Sequence, residues 1–382
     1  MNLTGNWNYP TSVRFGPGRI RELPEICAAA GMKRPLVVTD PGVSRLPMFA
    51  GAIASLDGAA AFDRVQANPI AANVEDGLAV YRNGGHDGVV AFGGGSALDA
   101  GKVIAFMAGQ TRPMWDFEDV GDWWTRADPK GIAPIIAVPT TSGTGSEVGR
   151  AGVITDETTQ TKKIIFHPQM MPRTALLDPE LTLGLPAKLT AGVGMDALSH
   201  CLEAFCAPGF HPLADGVALE GMRLVKEFLP RAVRTGNDVE ARGMMMAAAA
   251  MGATAFQKGL GAMHALSHPI GALHGTHHGM TNAVFMPYVL EHNRAAISER
   301  ISRAAAYLGL AANFDAFLEW VLRLRAEIGV PHTLIALGAP VHDAERIVEM
   351  ALLDPTAGGN PVALTREGAR RIFDAAVKGA YA

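Results

Sequence analysis

The chain has 382 residues, of which 48% are hydrophobic and 18% are charged, and its formal net charge is −4. This composition is typical of a compact globular protein and excludes an intrinsically disordered chain. No run of Lys and Arg is longer than two residues, so neither nucleic acid nor a membrane surface is an expected partner.

Cysteine usage and the N-terminus indicate the compartment. The three cysteines (Cys27, Cys201 and Cys206) are few for this length and form no Cys-x-x-Cys pair, so neither disulfides nor a thiolate zinc site is predicted. The first residues lack the basic and apolar stretches of a signal peptide. The longest uncharged apolar run, 243–256, is shorter than the about 20 residues that cross a bilayer. We therefore expect a soluble, cytoplasmic protein.

The first half of the chain alternates short β-rich runs with helical segments. Near-continuous apolar runs predict strands at 35–40, 88–92, 132–138 and 175–178. Strands of this kind are buried on both faces, as in a parallel sheet covered by helices. This half therefore predicts a Rossmann-like α/β domain, which we place at residues 1–185.

The pattern of hydrophobic residues changes after Pro186. Helical periodicity dominates, and it predicts helices over 190–205, 212–233, 239–255, 295–308, 314–328 and 365–377. A chain of this length exceeds one ordinary core, so a second domain is expected. We predict an all-α C-terminal domain over residues 186–382.

A glycine-rich turn in the first half predicts a phosphate-binding site. The strand that ends near Phe92 runs into Gly93, Gly94, Gly95 and Ser96, and a helix follows. Glycines let the backbone approach an oxyanion, and the helix start offers unpaired N–H groups. Because this is not the usual G-x-G-x-x-G fingerprint, an ordinary strand-to-helix turn remains an alternative.

Two further segments support a dinucleotide at this place. Asp40 ends the first strand, where an acidic side chain accepts hydrogen bonds from ribose hydroxyls, although a turn or capping role is an equal alternative. The loop 139–147 follows another buried strand and supplies hydroxyl groups and backbone amides, which favours a second wall of a ligand site over a solvated loop.

The second half contains a histidine-rich cluster. Asp196 and His200 are four residues apart, so they share one face of a helix. Five histidines follow within 15 residues: His264, His268, His274, His277 and His278. A carboxylate with several imidazoles is typical of a divalent first-row metal such as iron or zinc. Core histidines without a metal are the alternative, and the density of the cluster argues against it.

Together these motifs resemble the iron-containing alcohol dehydrogenase family over nearly the whole chain. The matching stretches are 38–40, 93–96 with Asp99 and Lys102, 139–147, 177–182, 194–200, 259–269, Gly279 and 358–361. The resemblance implies the dehydroquinate synthase-like architecture of that family. It also implies an NAD-linked alcohol dehydrogenase or aldehyde reductase that acts on a small alcohol, with homodimers common among similar proteins.

The resemblance assigns roles to individual residues. It implies four metal ligands, Asp196, His200, His264 and His278, and a catalytic histidine, His268, beside the nicotinamide and substrate. The implied cofactor-binding residues are Asp40, Gly94, Gly95, Ser96, Asp99, Thr140, Thr141, Thr144 and Lys163. His274 and His277 match no ligand position, so we expect them to support the site or the fold. The implied metal is Fe²⁺, and a set of three nitrogens and one oxygen is also compatible with Zn²⁺.

Two departures from the family pattern carry positive charge. Arg150 follows the 139–147 loop, and Lys258 precedes the Gly259-Leu260-Gly261 stretch. One hypothesis is that either residue faces the substrate and favours an anionic one, such as a hydroxy acid resembling 4-hydroxybutyrate. The alternative is that both face solvent or another subunit.

Rival functions also follow from the residues. The nearest alternative is another enzyme of the same superfamily, either a glycerol-type or hydroxy-acid dehydrogenase or a cyclase. A metal-dependent hydrolase would use Glu203 as its general base, but it would leave the 93–96 turn without a purpose. A metal-storage or nucleotide-sensing protein is the third alternative. The identity of the alcohol does not follow from the sequence.

Overall fold

The computed structural model describes residues 11–380. Within them the chain forms two compact units, one of residues 11–141 and 145–183 and one of residues 142–144 and 184–380. The first is called the sheet unit below and the second the helical unit.

The sheet unit is built on a six-stranded parallel sheet. Its spatial order is β1-β8-β5-β4-β2-β3, and every pairing is parallel. The strands are β1 (Ser12–Phe15), β2 (Pro35–Val38), β3 (Ala60–Phe62), β4 (Gly88–Gly93), β5 (Ile135–Pro139) and β8 (Thr174–Leu177). The four predicted strands correspond to β2, β4, β5 and β8, so the parallel-sheet prediction is confirmed.

Helices cover both faces of this sheet. They are α1 (Leu23–Ala29), α2 (Pro47–Ala54), α3 (Ala71–Asn83) and α4 (Gly95–Met107). Alternate residues of the central strands enter two different cores: Val89 packs on one side of the sheet, and Val90 and Phe92 pack on the other. Burial on both faces explains why these strands read as continuous apolar runs.

A two-stranded antiparallel sheet in this unit escaped the sequence analysis. It pairs β6 (Ala151–Asp156) with β7 (Thr161–Phe166). Residues of β6 alternate between partly exposed and buried, which is the period-two signal of a half-buried strand. The charged and polar residues of the turn between the strands hid this alternation, so the region was not predicted as a hairpin.

In the helical unit, all regular elements among the described residues are helices. The α-helices are α5 (Ala187–Cys206), α6 (Pro212–Arg234), α7 (Val239–Ala255), α8 (Ala262–His274), α9 (His278–Tyr307), α10 (Phe314–Glu327), α11 (Leu334–Leu337), α12 (Ala344–Leu353) and α13 (Arg366–Lys378). Helices α5, α6, α7, α10 and α13 match the predicted ones within a few residues. Helices α8, α11 and α12 and the first half of α9 were missed. In α8 and α9, Pro269 and Pro287 lie inside the helix and interrupt the helical signal.

Helix α5 lies in the core of the helical unit. Most of its residues from Thr190 onwards are buried, including Met195, Leu198 and Leu202 in the hydrophobic core. A helix buried on all sides needs no polar face, so polar residues on it call for another explanation. Among residues 11–380, no helix is both long and apolar enough to cross a membrane.

Candidate metal centre and cofactor site

Three of the predicted metal ligands form a buried cluster in the helical unit. Asp196 and His200 lie one turn apart on α5, and His264 lies in the first turn of α8. Each offers a ligand atom, and these atoms all lie within 4.8 Å of one another. The three side chains are almost completely buried.

His278, the first residue of α9, is the fourth member of the cluster. Its Nε2 atom lies 3.5 Å from Asp196 Oδ1, and its ring centroid lies 5.2 Å from that of His264. Gly279 makes this placement possible, because a Cβ there would lie only 2.1 Å from the carbonyl oxygen of Gly192 on α5. The four predicted ligands therefore lie together, with His278 the most exposed, its side chain 26% accessible.

The amide nitrogen of Asn282 shows where a cation fits. It lies 3.0 Å from Asp196 Oδ1, 3.1 Å from His278 Nε2 and 3.3 Å from His264 Nε2. An amide has two hydrogens, so it cannot satisfy three acceptors at once. A carboxylate and two imidazoles thus converge around one point, and a divalent metal bound by nitrogen and oxygen fits this arrangement. The sequence analysis missed Asn282, although it follows His278 by one helical turn.

Glu203, one turn after His200 on α5, lies behind His264. Its Oε2 is 2.6 Å from His264 Nδ1, and its Oε1 accepts a hydrogen bond from the backbone N–H of Met263. Because both oxygens of Glu203 already have partners on α8, the structure gives no support to its use as a general base in the hydrolase alternative. Burial lowers the pKa of His264, but the hydrogen bond and charge of Glu203 outweigh burial and raise it overall.

The neighbouring His200 has the opposite electrostatic environment. Burial lowers its pKa to about 4, and the charges of Asp196 and Glu203 offset this only in part. The imidazole is therefore neutral near pH 7, with a lone pair available for a metal. The ring of Phe256 packs edge-on against it, with centroids 5.2 Å apart.

His268, the predicted catalytic residue, is paired with Asp354. Its Nδ1 atom lies 2.8 Å from Asp354 Oδ2, and its ring stacks on that of His278. Asp354 is also bonded by the N–H of Thr356, and although burial raises its pKa, His268 and Thr356 lower it overall. An ionised carboxylate that holds Nδ1–H orients the imidazole and leaves Nε2 as the reactive nitrogen.

The glycine-rich turn lies at the carboxyl end of β4 in the sheet unit. Gly94 precedes α4 in an extended conformation, and Gly93 has a φ of 148°, which favours glycine. A Cβ on Gly93 would lie 3.4 Å from Asp40 Oδ2, so Asp40 is close to the turn. Asp40 also accepts hydrogen bonds from the N–H groups of Gly42 and Val43, which fixes its carboxylate.

The loop after β5 lies beside the same turn. The N–H of Thr140 donates to the carbonyl of Gly93 at 2.9 Å, and a Cβ on Gly94 would lie 3.5 Å from the side chain of Thr141. The Ser96 hydroxyl donates to the carbonyl of Ala67, and Gly95 begins helix α4. Backbone amides, hydroxyl groups and a carboxylate thus meet at the carboxyl ends of adjacent parallel strands, where open α/β sheets bind ligands.

Two of the predicted cofactor residues are held by protein groups. Asp99 is buried and bonded to the Ser146 hydroxyl and the N–H of Val153. Lys163, on β7, pairs with Asp156 at 2.9 Å and with Glu118 at 3.7 Å. Thr144 lies in the 142–144 segment that groups with the helical unit. Their contact with a cofactor stays a prediction.

Lys258 does not fit the hypothesis that it faces the substrate. Its side chain is 2% exposed, and its ammonium group lies 2.6 Å from Asp215 Oδ1 and 3.2 Å from the carbonyl of Phe205. Arg300 shares both partners. Lys258 therefore stabilises the fold. Arg150 differs, since it is partly exposed and its guanidinium lies over the ring of Phe166 at 5.6 Å.

The two histidines without a predicted ligand role have structural contacts. His277 caps α9, because its Nδ1 accepts the N–H of Met280. His274 ends α8 with Nε2 3.5 Å from Asp343 Oδ2. The three cysteines are free and buried, and burial is the main cause that raises the pKa of each thiol to about 12.

Comparison with known proteins places this geometry in a family. The family model described as iron-containing alcohol dehydrogenase matches residues 10–179, and the one described as the C-terminal part of the Fe-containing alcohol dehydrogenase family matches residues 190–377. The 4-hydroxybutyrate dehydrogenase of Cupriavidus necator is 40% identical over 378 residues, which cover 96% of this chain and 98% of that protein. The 1,3-propanediol dehydrogenase of Citrobacter freundii is 36% identical over 364 residues, which cover 91% and 92%.

Solved structures resemble the chain over most of its length. A 1,3-propanediol oxidoreductase has a TM-score of 0.91 at 35% identity, covering 97% of this chain and 100% of that one. The sulfoacetaldehyde reductase of Bifidobacterium kashiwanohense, solved with NAD⁺, has a TM-score of 0.89 at 30% identity, covering 98% and 99%. The predicted fold class, enzyme class and cofactor types are thereby confirmed, and the chain belongs to the iron-containing alcohol dehydrogenase family.

Proposed function

We propose that the protein catalyses the reversible NAD-linked oxidation of a small primary alcohol at an iron centre held by Asp196, His200, His264 and His278. The observation that carries the proposal is that the ligand atoms of Asp196, His200 and His264 lie within 4.8 Å of one another, with His278 Nε2 3.5 Å from Asp196 Oδ1. In functional terms we assign NAD binding to residues 1–185 and metal binding and catalysis to residues 186–382.

The protein groups around the metal have distinct tasks. A bound divalent ion supplies Lewis acidity, which lowers the pKa of the substrate hydroxyl; Fe²⁺ is the family metal, and the same ligands suit Zn²⁺. The neutral His200 and the oriented His264 offer lone pairs. His268, held by Asp354, takes up the released proton at Nε2.

The sheet unit supplies the cofactor site. Gly94, Gly95 and Ser96 at the start of α4 bind the pyrophosphate through backbone N–H groups, and Asp40 accepts the ribose hydroxyls. The threonines of the neighbouring loop, Thr140, Thr141 and Thr144, line the cofactor. Asp99 and Lys163 complete the proposed set, with Asp99 acting through the loop that it anchors.

A hydroxy acid is the substrate class that we propose. The relative from C. necator is named for 4-hydroxybutyrate and is more similar to this chain than the propanediol dehydrogenases are. We propose Arg150 as the cation that recognises the carboxylate, because it is partly exposed, whereas Lys258 is buried and paired with Asp215. Free buried thiols suit a reducing cytoplasm, and a homodimer is the proposed assembly.

The test begins with metal-stripped protein under anaerobic conditions. Fe²⁺ or Zn²⁺ is restored while NADH absorbance is followed with 4-hydroxybutyrate, 1,3-propanediol, 1-butanol and glycerol. We expect activity only with metal, highest kcat/KM for 4-hydroxybutyrate, and none in His264→Ala. Full activity without metal would overturn the assignment of the metal centre.

The role of Arg150 has a matched control. Arg150→Gln should lower kcat/KM for 4-hydroxybutyrate about 10- to 100-fold, because a charge-assisted hydrogen bond contributes about 1.5–3 kcal/mol. The value for 1-butanol should stay within about threefold. Arg126→Gln is the control, since Arg126 stacks on Trp123 in the same unit. Equal losses for both substrates in Arg150→Gln would exclude a role in substrate charge recognition.

A further inference from the structure

The carboxylate of Glu203 contacts both the backbone and the side chain of the same short segment. One oxygen accepts the N–H of Met263 at 2.7 Å, and the other lies 2.6 Å from Nδ1 of His264. Glu203 is 5% exposed and His264 is 1% exposed, so no solvent competes for these bonds. The ring of His264 therefore has one orientation available to it.

The start of α8 fixes the carboxylate in turn. Met263 N–H is one of the helix-start donors that lack a partner within the helix, and Ala262 N–H donates to Asn360 Oδ1. Gly261 permits this close packing, because a Cβ there would lie 2.9 Å from Asn360 Oδ1 and 3.0 Å from Glu203 Oε1. The unpaired N–H groups at the start of α8 also attract a carboxylate to this point.

We propose that Glu203 is a positioning residue for the metal centre: it holds His264 as the Nδ1–H tautomer, so that Nε2 presents its lone pair to the metal. The inference rests on the metal centre proposed above. A ligating histidine commonly donates its other N–H to a carboxylate, which fixes the tautomer and raises the basicity of the ligating nitrogen. In this chain the Nε2 atom of His264 points to Asn282, the side opposite Glu203.

The charge of Glu203 distinguishes this role from simple capping. A neutral amide is enough to cap the adjacent donor, as Asn360 does for Ala262. A carboxylate adds a negative charge to that of Asp196, and together they balance a divalent cation in a buried site. If Glu203 only capped the N–H of Met263, its second oxygen would not have to face the imidazole of His264.

Glu203→Gln tests the proposal with almost no change in shape. The glutamine oxygen keeps the bond from Met263, but its NH₂ group then faces His264 Nδ1 as a donor. The ring must move its proton to Nε2, the atom that binds the metal. We expect Co²⁺ and Zn²⁺ to bind about 10- to 100-fold more weakly, with an altered Co²⁺ absorption spectrum and an unchanged melting temperature of the metal-free protein.

The control is Glu291→Gln on α9, whose carboxylate pairs with Arg294 far along the helix from His278. It should bind Co²⁺ like the wild type. Wild-type protein that binds no metal would overturn the metal centre itself. Wild-type binding with equal affinity in Glu203→Gln would overturn only the role of Glu203.

Two further measurements separate positioning from a structural role. In the double variant Glu203→Gln/His264→Ala, the loss of metal affinity should equal that of His264→Ala alone, and additive losses would contradict action through His264. Imidazole ¹⁵N spectra of zinc-loaded wild type should show His264 protonated at Nδ1 and ligated through Nε2. Ligation through Nδ1 would overturn the proposal, whether or not the variant folds.

Discussion

Each unit of this protein buries a cluster of carboxylates, and the two clusters are neutralised differently. In the sheet unit, Asp99 and Glu147 are buried with Lys102, whose ammonium lies 3.3 Å from Asp99 Oδ1 and also bonds to the carbonyl of Ser146. In the helical unit, Asp196 and Glu203 are buried among imidazoles, and the contacts that the structure gives them include no lysine or arginine.

The difference is consistent with a structural role for the sheet-unit cluster and with the metal site proposed at the helical-unit cluster. A buried carboxylate is costly unless it is paired. Lys102 supplies the pairing charge within the fold, so that cluster is complete and fixes the loop after β5 on α4. In the helical unit, the described contacts of the cluster include no such cation, and Asp196, His264 and His278 surround the amide of Asn282 instead. The same physical requirement thus leaves one site closed and the other open to a metal.

The largest effect on activity is expected from placing a cation among the buried carboxylates and histidines of the helical unit. A lysine at position 200 is longer than the histidine by about the length of a metal–nitrogen bond, about 2 Å, so His200→Lys brings an ammonium near the metal position. We expect a loss of metal-dependent turnover of at least about 10³-fold, as in His200→Ala. The metal-free Lys variant should melt above the Ala variant.

The diagnostic measurement is the effect of chelator on melting temperature. Chelation should lower it for the wild type, because a bound ligand stabilises the folded state, and should leave it unchanged for His200→Lys. If chelator destabilised His200→Lys as much as the wild type, the two clusters would not differ in the way described.

Removing the cation from the closed cluster should have the next largest effect. Lys102→Met keeps the length of the side chain but leaves Asp99 and Glu147 buried without a positive partner. Breaking a buried ion pair by removing one member costs about 3–5 kcal/mol. Denaturant unfolding measures this loss; Lys130→Met, on an exposed turn, serves as control. A loss below about 1 kcal/mol would contradict the pairing role.

The smallest effect concerns Glu147 and depends on pH. Burial raises its pKa from 4.5 to about 7, with Lys102 opposing the shift. Because the folded pKa exceeds the unfolded one, the folded state holds the proton more tightly, and stability falls as pH rises from about 4.5 to about 7. Glu147→Gln should not lose stability in this way. The difference in free energy of unfolding between this variant and wild type should therefore grow in favour of the variant by about 1–3 kcal/mol from pH 5 to pH 8.

Unfolding free energies at the two pH values, with Glu157→Gln on the hairpin turn as control, measure this difference. An identical pH dependence in wild type and Glu147→Gln would show that the carboxyl group stays ionised in the folded protein.

The sequence predicted those parts of the structure that depend on residues close together in the chain. Strands such as β4 and helices such as α6 have continuous patterns, and both were predicted nearly to their ends. Helix α8 was missed although it carries His264, because a proline inside a helix lowers its local signal while packing maintains it.

The same holds for the candidate site: local spacing predicted some of its contacts, and contacts between distant residues were not predicted. Asp196 and His200 were predicted by spacing, since one helical turn brings them together. Their proximity to His278 depends on the contact of Gly279 with Gly192, which lies 87 positions earlier and leaves no local pattern. Asn282 was missed although it follows His278 by one helical turn, and Glu203 was considered only as a general base, because its contact with His264 links residues 61 positions apart. Lys258 was wrongly considered as a substrate contact, because its partner Asp215 is 43 residues away in sequence.

The burial of the three cysteines affects how the enzyme responds to oxidants and alkylating reagents. A thiol with a pKa raised to about 12 holds almost no thiolate at neutral pH, so we expect peroxide and alkylating reagents to react slowly with the folded protein. If the enzyme loses activity in air, we therefore expect Fe²⁺ to restore it and a thiol reductant to have no effect.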